Sequence, residues 1–336
     1  MSIDFVRAIY NSTKPLPKDK DFYHKALNDI YLDGIESQIY FLLKQQGRLE
    51  QTPSFFQAWL KERYEKGLYQ NLFIKNQTDQ ILRAFEDLGI DVIPLKGVYF
   101  AKEFFGDIGA RVTSDIDLLI RSRDLEKVIQ LIHTLGFTVE EEQIPGHFHC
   151  SFSKPIPYSQ FPLVVEIHWS IVRDNTSKFK IDDLWAQAKS VAGSSHVLEL
   201  SPNHTFYMIV LHGWRHNLDS MKYFIDIIQV LQKYNLEIDY QEIFTLAVSH
   251  QTRKRMARTL SIVYQEFPFL NDLNKLPIRK KKNLWKYRPV KGLKLYADFF
   301  DYQFLSFDSV RHSLIEITQW GHEITTKFTS KRRLLK

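Results

Sequence analysis

The hydrophobic period of this 336-residue chain changes twice, and that change limits its fold more than any other feature. Up to Gly89, apolar residues recur at helical spacing. From Ile90 to Val172, short runs rich in β-branched residues ("IDVIPLKG", "SDIDLLI", "FHCSF", "PLVVEIHWSIV") are interleaved with amphipathic stretches that stop on glycine. After Ser201-Pro202 the helical period returns. Alternation read this way predicts a mixed sheet layered with helices, α+β or α/β, entered and left through helical regions.

The local signals are specific. "YLDGIESQIYFLLKQQG" reads as helix ending on Gly47. "TPSFFQAWLKERYEKGLYQNLFIKNQTDQILRAFEDLGI" reads as one long helix or two, with Thr52 as N-cap, Pro53 at the first helical position and Gly89 past the end. "VYFAKEFFG" allows one or two helical turns, and "RDLEKVIQLIHTLGF" puts Leu125, Val128, Ile129 and Ile132 on one face before Gly136. Ser201 caps a later helix with Pro202 at its first position, and a final helix is expected from about Asp308 to Phe328.

Composition excludes several classes. Apolar residues are 44% and charged residues 25%, as in a folded water-facing protein rather than a disordered one. The single cysteine, Cys150, cannot form an internal disulfide, and a cytoplasmic setting is expected. The first thirty residues carry acids and lack the apolar run of roughly 7–15 residues of a secretory signal. No stretch approaches the roughly 20 apolar residues of a membrane span. The net charge of +6 is uneven: the sixty residues from Pro277 hold 14 Lys/Arg and 5 Asp/Glu, net +9, and the rest is net −3.

Two carboxylates stand out because they interrupt a run that otherwise wants burial. In a strand, Asp115 and Asp117 of "SDIDLLI" face the same way, although Leu119 breaks the alternation of apolar and polar positions. Two carboxylates this close raise each other's pKa unless a proton is shared or a cation compensates. Mg²⁺ takes oxygen ligands of this kind together with substrate phosphate. Glu166, flanked by Val165 and Ile167 in "VVEIHW", is a third carboxylate in a strand that disfavours it. If the two strands pair, the three converge into the frame of a metal-assisted phosphoryl or nucleotidyl transfer site. Upstream, Lys96-Gly97 lies between a strand and a helix start, where backbone can approach a phosphate and Lys96 supplies a point charge.

Together, "IPLKG", "RVTSDIDLLI", "LGF", "VVEIHW" and a later "LH…Y…D" series resemble a bacterial family of uncharacterised nucleotidyltransferases within the polymerase-beta-like superfamily, over about residues 30 to 260. The resemblance implies an α+β fold: a polymerase-beta-like core with a mixed sheet, a helical N-terminal region and an all-helical C-terminal domain. The expected segments are 1–68 helical, 69–200 catalytic core, 201–276 helices walling the cleft, and 277–336 a basic extension. It implies NMP transfer from an NTP such as ATP to an acceptor hydroxyl or other nucleophile, with Mg²⁺ or Mn²⁺. Asp115 and Asp117 would hold the metals, and Glu166 would complete the site and help deprotonate the acceptor. Lys96, Gly97, Arg111 and Ser114 would serve the nucleotide, and His168, His212, Lys222 and Asp226 would line the cleft. The sequence departs from the superfamily where Lys96 replaces the first small residue of the usual Gly-Gly or Gly-Ser turn. The acceptor class stays open between small molecule, sugar, peptide and protein.

Other readings carry less. His168 is also a candidate hydrogen-bonded core residue, and Arg111 a candidate salt-bridge partner of the aspartates. Lys222 and Asp226, at i, i+4, would equally form a plain helix salt bridge. His147, His149 and Cys150 lack the further ligands of a zinc site. His212-Gly-Trp-Arg-His216 lacks the glutamate of a metalloprotease helix. A catalytically weak regulator of the toxin-neutralising type and a nucleic-acid terminal transferase are the alternative functions. Trp285, Tyr287 and Tyr296, set among the basic residues of the extension, suit a polyanion, nucleic acid or an anionic membrane surface, and the terminal-transferase reading would have them contact RNA or DNA.

Overall fold

The computed structural model describes residues 2–11, 15–141, 147–157, 159–278, 285–287 and 292–321. Helices α1 (Ser2–Tyr10), α2 (Lys20–Asp33) and α3 (Glu36–Gln45) lead into α4 (Ser54–Asp87). The stretch read as one helix ending on Gly47 is broken at Gly34, whose left-handed φ of 62° ends α2 with its N–H on the Ile30 and Tyr31 carbonyls. Only a residue without Cβ adopts that turn cheaply. Helix α4 is continuous over 34 residues, so the expected boundary at 68/69 falls inside one unbroken element. Its first helical residue is Ser54, and Pro53 takes the cap position rather than the first turn.

The sheet follows: β1 (Val92–Pro94), α5 (Val98–Phe105), β2 (Asp115–Ile120), α6 (Leu125–Thr134), β3 (Thr138–Glu141), β4 (His149–Lys154) and β5 (Leu163–His168). Strand order is β1-β2-β5-β4-β3. Strands β2 and β5 are parallel neighbours at the centre, and the other pairings are antiparallel. A short α7 (Ile181–Ala186) and a hairpin, β6 (Lys189–Ser190) with β7 (Leu198–Glu199), lead to α8 (Pro202–Arg215), α9 (Met221–Lys233), α10 (Tyr240–Ser249) and α11 (Arg253–Glu266). Ser201 accepts from the His204 N–H and Pro202 opens α8, as the sequence predicts.

The two sheet faces serve different cores. Ile116, Leu118 and Ile120, with Val165, Ile167, Cys150 and Phe152, pack on the Ile81–Phe85 stretch of α4 and on Val128 and Ile132 of α6. The other face carries Ile93 of β1 opposite Leu119 of β2, and both join the large helical core. This explains the break in alternation at Leu119. It lies on the carboxylate face, but at the end where that face is covered. The large core takes in Phe5 and Ile9 of α1, α8 to α11, and Trp285.

Helices α12 (Leu270–Leu273) and α13 (Leu293–Phe300) follow, then a π-helical turn at Asp301–Leu305 and a helix over 310–321. The remainder of the expected final helix, 322–328, and much of the basic run, 279–284 and 288–291, lie outside the described residues. Trp285 is buried and donates through Nε1 to the Asn217 carbonyl. The Tyr287 hydroxyl bonds Ser2 and Asp33. Of the three aromatics expected to face a polyanion, only Tyr296 is exposed, because the apolar rings of the other two are taken up by packing. No helix among the described residues is long and apolar enough to cross a membrane.

Candidate active site

The parallel pairing of β2 and β5 places Asp117 directly opposite Glu166 and Leu119 opposite His168. Beyond β5, Ser151 and His149 of β4 continue the two rows. A strand's period of two therefore puts Asp115, Asp117, Glu166, His168 and His149 on one face. His149 stacks on His168 with ring centroids 5.1 Å apart, whereas Cys150 points into the opposite core.

The group is knit by charge. His168 Nε2 lies 3.1 Å from Asp117 Oδ1 and 3.2 Å from Glu166 Oε2. Two carboxylates on one ring nitrogen mean that Nε2 carries the proton and donates to both. Lys96 Nζ is 3.0 Å from the other Asp117 oxygen. Burial alone would raise the Asp117 carboxyl, but the Lys96 ammonium and His168 hold it well below the usual carboxylate range. Burial and the Asp117 charge push Asp115 up, with partial relief from Lys96. For Glu166, burial is outweighed by the His168 hydrogen bond, and its pKa falls. For His168, burial disfavours the charged ring, yet its two carboxylate partners raise it on balance.

The turn that carries Lys96 is tied to the same strand. The Leu95 N–H donates to the Asp117 carbonyl at 3.0 Å. Gly97 then caps α5 with φ 84° and ψ −145°. A Cβ there would meet Thr113 Cγ2 at 3.7 Å and the Asp115 carbonyl at 3.8 Å, which is ordinary contact. The constraint is conformational, not spatial. Gly97→Ala is therefore expected to cost about 1–3 kcal/mol of stability. A lower urea midpoint at unchanged m-value would show it, and an unshifted midpoint would contradict the argument.

The loop before β2 is held by α4. Buried Asn71 donates to the Arg111 carbonyl at 2.8 Å and accepts from the Thr113 N–H at 3.0 Å, while Gln70 donates to the Thr113 carbonyl at 2.6 Å. Sequence reasoning missed Asn71; the available signal is an amide in the buried phase of a long helix. Arg111 is engaged within the protein. Expected to serve the nucleotide, it is buried and gives Nε and an NH2 to the two oxygens of Asp226, each at 2.8 Å. Its guanidinium also lies 5.1 Å from the Phe100 ring centre. That bidentate pair uses two of the five guanidinium N–H donors and fixes the side chain on Asp226. It also takes Asp226 away from Lys222, so the i, i+4 bridge does not form.

Lys222 stays at the site mouth, half-buried and with no ion pair among the described residues. The Arg111 charge and burial bring its pKa down to about 8. It lines a cavity of about 310 Å³ with Arg63, Lys66, Thr113 and Ser114. Ser114 Oγ donates to Asp115 at 3.3 Å. His212, on α8, has its pKa driven well below normal by burial and by the Lys96 charge, and its ring meets those of His216 and Tyr223. His216 stacks on Tyr223 beside it at 4.8 Å. A larger apolar cavity of about 590 Å³ beside α5 has none of the carboxylates in its lining.

A divalent cation fits this donor set. Asp117, Glu166 and His168 form the one group among the described residues whose candidate donor atoms all lie within 4.8 Å of one another. With the Nε2 proton of His168 held between the two carboxylates, the oxygen donors left for a cation are those of Asp117, Glu166 and, two positions along the same face, Asp115. Lys96 and His168 balance part of the negative charge within the protein.

The sheet thus presents three carboxylates on its central parallel pair, beside a lysine-glycine turn that caps α5. The family model described as "Uncharacterised nucleotidyltransferase" matches residues 33–268, and the chain belongs to that family. Its fold is a mixed five-stranded sheet set among helices. No curated protein matches. Two solved structures are similar. One is the solution structure of the antibiotic-resistance factor ANT(2'')-Ia, at 12% identity over 53% of this chain and 91% of that one, with a TM-score of 0.38. The other is the crystal structure of ANT(2'')-Ia in complex with adenylyl-2''-tobramycin, at 15% identity, 52% and 94% coverage and a TM-score of 0.34. Similarity at that level bears on neither site nor substrate.

Proposed function

We propose that this nucleotidyltransferase is metal-dependent and moves an NMP unit from an NTP to an acceptor hydroxyl, releasing pyrophosphate. The observation that carries this is the direct pairing of Asp117 with Glu166 across β2 and β5, with Lys96 and His168 on the same carboxylates. Asp115, Asp117 and Glu166 would hold Mg²⁺ or Mn²⁺, which when bound neutralises phosphate charge. Lys96 and the N-terminus of α5 at Gly97 receive the outer phosphates, where a point charge and free N–H groups favour an anion. Lys222 adds a second cation from the helical wall.

Glu166 accepts the proton of the acceptor hydroxyl. The acceptor oxygen forms its bond to the α-phosphorus as the bond from that phosphorus to the bridging oxygen breaks. The electron pair leaves with pyrophosphate. His168 holds Glu166 and Asp117 at fixed separation, so the base does not have to be positioned during the reaction.

Calorimetric titration with each NTP, with and without Mg²⁺, tests this reading. Tight binding of at least one NTP that requires Mg²⁺ is expected, with label from its α-phosphate passing to a component of cell extract. A chain that binds neither Mg²⁺ nor any NTP would be a regulator with a vestigial site, and the proposal would fall.

A further inference from the structure

Just beyond the C-terminal end of β5 lies a second, separate cavity of about 230 Å³. Its walls come from Ile171–Arg173 after β5, from Trp214 and Arg215 of α8, from Arg255 of α11, and from Tyr302, Phe307 and Glu316. Three arginines and one glutamate make its lining strongly cationic.

Arg255 is the unusual member. It is 1% exposed, its guanidinium lies 4.7 Å from the Trp214 ring centre and 4.6 Å from that of Phe307, and one NH2 donates to the Thr176 carbonyl. Its Nε has no hydrogen-bond partner, and it makes no ion pair among the described residues. Burial pulls its pKa down to about 10. The Asp308 and Glu316 charges offset part of that burial, and an anion in the cavity would offset more.

One aromatic ring, Phe148, separates the cavity from His168. Phe148, in its wall, has its ring centre 6.1 Å from that of His168, and the Arg215 guanidinium lies 4.7 Å over the same Phe148 ring. The cationic cavity around Lys222 and Ser114 lies instead beside the start of β2. Phosphate-binding cations thus occupy one end of the parallel pair and arginines the other.

The outer wall belongs to the segment after the family match, which ends at residue 268. That segment is docked specifically. Arg258 donates to Asp298 at 2.6 Å, Trp214 Nε1 to Ser306 Oγ at 3.1 Å, and the Tyr302 hydroxyl to the Arg215 carbonyl at 2.6 Å. The π-helical turn at Asp301–Leu305 directs Tyr302 and Gln303 to the cavity. Such turns recur where a helix must re-aim side chains at a site.

We propose that this arginine cavity is the acceptor subsite, and that the acceptor is a small hydroxyl compound bearing an anionic group, phosphate or carboxylate. Its anion sits between Arg173 and Arg255, and its hydroxyl faces Glu166. Naming the bound molecule an acceptor rests on the nucleotidyl-transfer reading above; the binding of the anion does not.

The test is calorimetry on the full chain with glycerol 2-phosphate, glycerate and glycerol, alone and with Mg²⁺ plus a non-hydrolysable ATP analogue present. One or both anions should bind, and neutral glycerol should not. The stronger of the two identifies the anionic group. Arg173→Gln, at the rim, and Arg255→Gln should each weaken anion binding about tenfold or more. Arg255→Lys should restore part of it, which a merely structural arginine would not do. Arg173→Gln guards against misfolding of the buried variant. Equal binding of glycerol and the anions, no binding of any, or wild-type anion binding by Arg173→Gln and a folded Arg255→Gln, overturns the proposal. Anion binding without binding of the ATP analogue keeps the cavity and removes the nucleotidyl-transfer reading. The reverse result removes only the cavity.

Discussion

Asp117→Asn is expected to lower nucleotidyl transfer by about 10²–10³-fold while the protein stays folded. The substitution keeps the shape of the side chain and removes one charge from the centre of the site. Asp117 faces Lys96 through one oxygen and His168 through the other, and it pairs with Glu166 across the sheet. On the proposed reading, removing its charge costs the site a metal ligand, and it also removes the group that orients both cations. Asp115→Asn should behave differently. Its carboxyl is already disfavoured by burial and by the Asp117 charge, so an uncharged residue relieves repulsion in the metal-free protein. The metal-free variant should melt at or above the wild-type temperature, yet lose the stabilisation that Mg²⁺ confers on the wild type. Thermal melts with and without Mg²⁺, run beside the transfer assay, separate the two variants. Full transfer activity in Asp117→Asn would sink the assignment.

The carboxylates were legible because they violate a local rule. A strand that buries Ile116, Leu118 and Ile120 does not otherwise spend two aspartates on its other face, and the period of two puts both on one side without further knowledge. Glu166 was legible for the same reason. That β5 lies beside β2, in a register that opposes Asp117 and Glu166, was not written in either segment alone. Two facts were hidden by chemistry that sequence distance conceals. Arg111 and Asp226 are 115 residues apart, and an arginine four residues before the strand that carries the aspartates gives no sign that it is already paired. The break at Gly34 was hidden because apolar spacing continues across it, and only the turn conformation reveals that the helix ends. Likewise, basic residues around Trp285 and Tyr287 suggest an exposed surface, although both rings are held by hydrogen bonds that reach far along the chain. Composition reports which residues are near in sequence. It does not report which faces are already occupied.

The Arg111–Asp226 pair should give the largest stability effect. Its side chains are 5% and 1% exposed, both guanidinium bonds are 2.8 Å, and burial is offset only by this partner and by the nearby carboxylates. Asp226→Asn leaves a buried arginine without its counter-charge and is expected to cost about 3–5 kcal/mol. Arg111→Met should cost a similar amount by stranding Asp226. The double variant Arg111→Met/Asp226→Leu should recover most of the loss, because two apolar side chains no longer need each other's charge. A double-mutant cycle on urea midpoints measures the difference. Because the pair joins the loop before β2 to the helix that carries Lys222, it also sets where that lysine stands relative to Asp115. The double variant is therefore expected to regain stability without regaining nucleotide affinity. Recovery of both would mean that the pair only holds the fold together, and that Lys222 is positioned by packing alone.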